Sequence, residues 1–277
     1  MHVSHSRDRD DDPAGLSALL VQDLRDLART RQLLVGIDFD GTIAPLVDEP
    51  GSARALPEAL SAIERLTALP RTRVALLSGR SLADLQEVSG VGEQVLLAGS
   101  HGAEIRLDDA ESLVGLDEAE RALLERLRER LVAVADDFPN VRLEHKPAGV
   151  TLHTRTAGPD EARGAMARAR AAMAAEMDSL KVRGGKDVLE FAVRATTKGD
   201  ALLTLKRHTG ATAVFFAGDD VTDEDVFTVL EGSDLGLKSG PGATSADHRV
   251  AGPAEVALVL DRLADFREDP SEPGLSG

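Results

Sequence analysis

The sequence predicts an α/β fold, a parallel sheet wrapped by helices and interrupted once by a smaller α+β insertion. Short apolar runs alternate with segments of helical periodicity from residue 33 to about 106, the rhythm of successive β-α-β units. Over residues 107–191 that rhythm gives way to helix, paired strands, helix, paired strands, and it returns from about Thr197. Polar clusters follow the apolar runs of the first rhythm, at the strand ends where open parallel sheets bind ligands.

Residues 1–14 are polar and charged, as are 268–277, and both read as flexible ends. The later half of the first thirty residues looks helical. The run 33–37 is a buried strand signal ending at Asp38. Residues 57–69 have helical spacing, with Pro57 suited to a helix start. A strand over 74–77, a helix over 81–88 and a strand over 94–98 complete the first half, with helices expected on both faces of the sheet. The insertion reads as a helix over 117–138, strands over 141–144 and 149–155, a helix over 159–177, and strands over 180–182 and 188–191. A helix from Thr197, strands over 213–217 and 235–237 with a helix between them, and a last helix over 253–266 restore the first pattern. The expected domains are a core of 15–106 with 192–267 and an inserted cap of 107–191.

Composition narrows the function. Hydrophobic residues make up 42% of 277, enough for a packed core. With 32 basic and 48 acidic residues the net charge is −16, which opposes binding to nucleic acid or anionic membranes. An anionic phosphate ester would need positive potential built locally, from a cation and a few Lys and Arg. The absence of cysteine excludes disulfides, thiolate catalysis and Cys-based zinc sites. With no Tyr or Trp, sugar recognition would have to be polar rather than stacked. The N-terminus lacks a signal-peptide run and no stretch approaches a membrane span, so the cytoplasm is the expected compartment. A monomer with a small-molecule partner, and no nucleic acid or membrane, is the expectation.

Asp38-Phe39-Asp40-Gly41-Thr42 puts two carboxylates where a buried strand ends and a Gly-Thr turn begins. Both can aim into one crevice, one to attack phosphorus and the other to give a proton to the leaving oxygen. A solvated acidic turn is the bland alternative, while an EF-hand fails because Gly falls at the wrong loop position. The run 218–225, Gly-Asp-Asp-Val-Thr-Asp-Glu-Asp, holds five acids in seven residues after a second buried strand. Such crowding is costly unless a cation sits there, and hard oxygen donors without imidazole point to Mg²⁺. Acids favouring a helix dipole would account for Asp223, Glu224 and Asp225, but hardly for Asp219 at the strand end. Ser78-Gly79-Arg80 offers a hydroxyl and backbone N–H groups after another strand. Lys198 stands at a helix start, where its charge opposes the dipole and needs another reason. A common turn and an ordinary surface lysine are the alternatives for these two.

The order D-x-D-G-T, Ser, Lys, G-D-D-x-x-D resembles the haloacid dehalogenase superfamily of aspartate-nucleophile phosphatases over about 33–106 and 192–266. The resemblance implies a Rossmann-like core of that type with an α+β cap. It also implies that Asp38 becomes an aspartyl phosphate, and that Asp40 acts as acid and then base. Mg²⁺ would be held by Asp38, Asp219 and the Asp40 main-chain carbonyl, with Asp220 or Asp223 behind those ligands. Ser78 and Lys198 would bind the phosphoryl oxygens.

A narrower similarity, to the trehalose-6-phosphate phosphatase family, rests on residues 99–104 (Gly-Ser-His-Gly-Ala-Glu), Glu144-His145-Lys146 with His153-Thr154-Arg155, Gly185-Lys186 with Glu190, and residues 218–225. Phe39 stands where that family often has Tyr, and Thr154 where an aromatic is usual. The resemblance implies substrate contacts from Gly79, Arg80, His101, Gly102, Glu104, Glu144, Lys146, Arg155, Lys186 and Glu190. Carboxylates that accept from sugar hydroxyls, and Lys or Arg that donate to them, suit such a substrate independently. His101 and His153 read as structural or hydrogen-bonding groups. Another sugar phosphate (sucrose 6-phosphate or mannosyl-3-phosphoglycerate), a phosphomutase and a catalytically silent sensor remain as alternatives.

Overall fold

The computed structural model describes residues 15–269 apart from 48, 109–115, 186 and 195. The flexible ends expected over 1–14 and 270–277, and the sugar contact expected from Lys186, fall outside the described residues. Helix α1 (Ala18–Ala28) opens on Ser17, whose Oγ accepts from the Leu20 N–H at 3.3 Å, and it buries Leu20, Val21, Leu24 and Leu27 in the core. Strand β1 (Leu33–Asp38) is buried throughout. Then come α2 (Pro57–Ala68), β2 (Thr72–Leu77), α3 (Leu82–Ser89), β3 (Leu96–Gly99) and β4 (Glu104–Arg106). The insertion supplies α4 (Glu118–Asp136), β5 (Arg142–Lys146), β6 (Gly149–His153), α5 (Pro159–Ala172), β7 (Lys181–Gly185) and β8 (Val188–Ala192). The chain closes with α6 (Lys198–Thr209), β9 (Ala213–Gly218), α7 (Glu224–Phe227), β10 (Leu235–Ser239), β11 (His248–Val250) and α8 (Pro253–Glu268).

One sheet has the order β11-β10-β9-β1-β2-β3-β4, parallel except for the antiparallel β3–β4 pair. Its two faces bury separate clusters. One holds Val35, Ile37, Phe215 and Leu237 with residues of α1, α2 and α8; the other holds Leu34, Leu77 and Phe216 with residues of α6 and α7. The second sheet, β5-β6-β8-β7, is antiparallel throughout. Strict alternation sets its two faces: Val150, Leu152, Leu189 and Phe191 pack on α4 and α5 residues such as Leu127, Leu131 and Ala165. The opposite face carries Glu144, Thr151 and Glu190 in one register row.

Three differences from the sequence reading have local causes. The helix expected over 159–177 ends at Ala172 and continues as a 3₁₀ turn over Ala174–Ser179. Strands β4 and β11 went unread because three residues are too short to show alternation. The last helix runs to Glu268, into the span read as a flexible tail, and the Arg267 guanidinium there donates to the carbonyls of Ala28, Thr30 and Arg71.

Candidate active site

Strand β1 lies between β2 and β9, the point where chain order reverses across the sheet. A crevice at the carboxyl ends of the strands therefore opens directly over Asp38. Four loops converge there. Asp38 follows Ile37, which pairs in register with Ala217, while Asp38 itself pairs with Leu77. Asp219, Ser78 and His101 lie just beyond the ends of β9, β2 and β3 and line the same cleft of about 580 Å³ with Asp38, Asp40, Arg80, Lys198 and Asp220.

Asp38, only 4% exposed, receives a hydrogen bond from Thr42 Oγ1 at 3.0 Å and one from Lys198 Nζ at 2.6 Å. Lys198 Nζ also donates to Asp223 Oδ1 at 2.8 Å. That double contact is why a lysine opens α6 against the helix dipole, with the helix end itself satisfied by a Thr197–Asp200 capping box. Burial pushes the Asp38 carboxyl up to about 8, with Lys198 pulling it down and Asp223 adding to the rise. Burial works against the Lys198 ammonium, yet Asp38 and Asp223 raise it above its ordinary value, so it stays charged.

Asp223 is fully buried and does not cap α7, which has only four residues. Its Oδ2 instead accepts from the N–H groups of Asp219 and Asp220 at 3.0 and 2.9 Å, folding the acidic loop back on itself. Asp38, Asp219 and Asp223 each offer a carboxylate oxygen within 4.8 Å of the others. Gly41 makes this approach feasible. Its φ is +79°, and a Cβ there would fall 2.0 Å from Asp219 Oδ2. Sequence reasoning missed the end of β10, where buried Lys238 donates to the Asp219 carbonyl and Ser239 Oγ to the Gly41 carbonyl at 2.8 Å. A lysine inside a buried strand was the available signal.

The carboxylate of Asp40 is gripped by Arg80, whose Nε and Nη2 each donate at 2.6 Å, and the guanidinium also lies over the Phe39 ring. Phe39 is fully buried, so a tyrosine hydroxyl there would need an interior partner. Ser78 Oγ accepts from the Arg80 N–H at 3.1 Å. Ser100 and His101 both take positive φ, 51° and 55°, a strained pair of non-glycine residues at a site. Glu104 braces that bend by accepting from Ser100 Oγ and the Leu82 N–H, both at 2.9 Å, and does not line the cleft. A Cβ on Gly79 would meet the His101 ring at 2.7 Å, and one on Gly102 would meet Ala201 at 2.8 Å. These two residues thus pack the loop. The His101 imidazole is held below its ordinary value by burial first and then by Lys198.

A second, smaller cavity of about 100 Å³ lies between the open face of the β5–β8 sheet and the Ser100–Ala103 bend. It is lined by Lys146, Glu190, Lys181, Arg183, Arg194 and His101 among others, and His101 lines both cavities. Lys146 Nζ donates to Glu190 Oε1 at 2.9 Å. Sequence reasoning had identified Lys146 and Glu190 but neither Lys181, Arg183 nor Arg194. Glu144 is exposed and bonded to His153 Nε2 at 2.8 Å, while Arg155 is exposed after β6, and neither lines either cavity.

The donor set at Asp38, Asp219 and Asp223 consists of hard oxygens, without imidazole or thiolate, and suits a hard divalent cation such as magnesium. Among the described residues no helix is long and apolar enough to cross a membrane.

Comparison with known proteins places this arrangement. Residues 36–252 match a family model described as trehalose-phosphatase. A trehalose-phosphate phosphatase of Mycobacterium avium is 36% identical over 254 residues, covering 86% of this chain and 63% of its own length. One from Mycobacterium tuberculosis is 35% identical over 267 residues, covering 91% of this chain and 67% of its own. The chain thus spans somewhat under two thirds of the first of these relatives, with 63%. Among solved structures, an Aspergillus fumigatus trehalose-6-phosphate phosphatase superposes with a TM-score of 0.70 at 25% identity, over 88% of this chain and 97% of the other.

Proposed function

The chain belongs to the trehalose-phosphatase family, and from that membership we propose that it hydrolyses trehalose 6-phosphate to trehalose and inorganic phosphate. The observation that supports this reading best is the sharing of His101 between the Asp38 cleft and the cavity beneath the second sheet. A phosphate seated at Asp38 leaves its sugar reaching toward Lys146 and Glu190. On this reading residues 107–191 form the cap and 15–106 with 192–267 the core.

Asp38 Oδ attacks phosphorus, an O–P bond forms, and the bond to the sugar oxygen breaks. Asp40 gives that oxygen its proton, then takes one from the water that hydrolyses the aspartyl phosphate. Because both Asp40 oxygens are held by Arg80, the guanidinium must let go, or turn to the phosphate, before Asp40 can reach the leaving group. Lys198 moves from carboxylate to phosphoryl oxygen, where transition-state charge is spread, and Ser78 donates beside it. Asp38 and Asp219 would hold a magnesium ion, which would supply positive charge to offset that of the carboxylates and the phosphate. The cap residues read sugar hydroxyls and limit water.

Phosphate release from trehalose 6-phosphate, glucose 6-phosphate and sucrose 6-phosphate, each with magnesium and with chelator, tests the proposal. The expected result is magnesium-dependent preference for the first. Preference for another ester overturns the substrate, and turnover unaffected by chelator overturns the role given to the acidic cluster.

A further inference from the structure

The open face of the second sheet is built as a trough. Across its four strands one register row reads Glu144, Thr151, Glu190, Arg183, and the next reads Lys146, Gly149, Ala192, Lys181. The inner strands β6 and β8 thus supply mostly small residues as a floor, with the Glu190 carboxylate rising from it. Gly149 is required there, since a Cβ would fall 2.4 Å from the Phe191 carbonyl oxygen. The outer strands supply charged walls, β5 on one side and β7 on the other.

Four cations line the cavity that this trough forms with the core, and two are already engaged. Lys146 is bonded to Glu190, and Arg194 is paired with Glu120 of α4. Lys181 and Arg183 line the same cavity, yet neither has a hydrogen-bond or ion-pair partner among the described residues. Both are exposed, long donors lining that cavity in a protein of net charge −16. A polyhydroxylated ring supplies the acceptors they lack, and a guanidinium fork can engage two neighbouring hydroxyls at once.

Resting on the trehalose 6-phosphate reading, we propose that Lys181 and Arg183 are specificity-determining residues. They form the β7 wall of the sugar site and donate to hydroxyls of the ring remote from the phosphate, opposite the Lys146–Glu190 wall and floor. They hold no reacting atom. Their effect is to favour a disaccharide phosphate over esters too short to span the trough, because remote binding energy is used at the reacting centre.

The test compares kcat/KM for trehalose 6-phosphate with that for p-nitrophenyl phosphate, in wild type and in the Arg183→Gln and Lys181→Gln variants. The expected result is a fall of about tenfold in the ratio of the two for Arg183→Gln, the size of one lost charge-assisted hydrogen bond, and a smaller fall for Lys181→Gln. Both side chains are outside the packed core, and two separate variants guard against a folding artefact in either. An unchanged ratio in both variants overturns the inference alone. A wild-type enzyme that hydrolyses p-nitrophenyl phosphate but not trehalose 6-phosphate overturns the substrate reading, and this inference with it.

Discussion

Lys198→Met is the perturbation that the site geometry makes most informative. The Nζ bridges Asp38 at 2.6 Å and Asp223 at 2.8 Å, and all three side chains are at most 5% exposed. Removing one member of a buried ionic group strands the others, at a cost of ~3–5 kcal/mol. That is a large part of the ~5–15 kcal/mol by which a domain is stable, and it corresponds to a fall in Tm on the order of 10 °C for a chain of this size. The exposed Arg163–Asp160 pair, 72% and 95% exposed, provides the contrast, since Arg163→Ala should change stability by no more than about 0.5 kcal/mol. Magnesium sharpens the test. At roughly one hundred times its dissociation constant a ligand adds ~2.7 kcal/mol, and with the competing ammonium gone the carboxylates should bind the cation more tightly than in wild type. Thermal melts in chelator and in magnesium should therefore show a destabilised variant that gains more from the cation than wild type does, while phosphate release stays lost in both conditions. A variant within about 1 kcal/mol of wild type in chelator, or one that gains no more from magnesium than wild type, refutes this account of the site.

Asp38→Asn should abolish phosphate release with the circular dichroism spectrum unchanged, and retention of tenths of the wild-type rate would remove Asp38 as nucleophile. Gly41→Ala puts a Cβ 2.0 Å from Asp219 Oδ2 at a φ of +79°, so calorimetry should find magnesium affinity weakened by at least tenfold in a folded protein. Hydrogen bonding from Arg194 holds the Glu120 carboxyl below its ordinary value of 4.5, so that pair stabilises fully above the ordinary value and loses its contribution as pH falls through the lowered one. Denaturation of wild type and Glu120→Gln should accordingly differ at pH 7 and converge in acid, and a gap that persists or widens in acid would contradict the pairing.

Much of this protein is legible from residue order alone. Buried strands such as 33–37 and 213–217 announce themselves because a sheet covered on both faces needs continuous apolar runs. The motifs at Asp38, Ser78 and Asp219 are legible because strand ends in a parallel sheet share one edge, so chain order and strand type suffice to bring them together. Spacing likewise marks Lys146 and Glu190, whose side chains meet at 2.9 Å across the strand between them. What residue order left hidden depends on contacts between distant segments. Lys238 and Ser239 look like the end of a strand until the fold presses them on the loops at Asp219 and Gly41. Asp223 reads as a helix decoration until its carboxylate is seen bonded to two backbone N–H groups and Lys198. Arg183 and Lys181 look like an ordinary polar strand face, and only the packing of that face over the core makes them walls of a cavity. The hydrophobic periodicity of the chain therefore determined the architecture, and the motif residues that follow its strands determined the chemistry there. Which charges are paired was decided by tertiary structure, because a side chain's partner is set by distance in space, which local pattern does not encode.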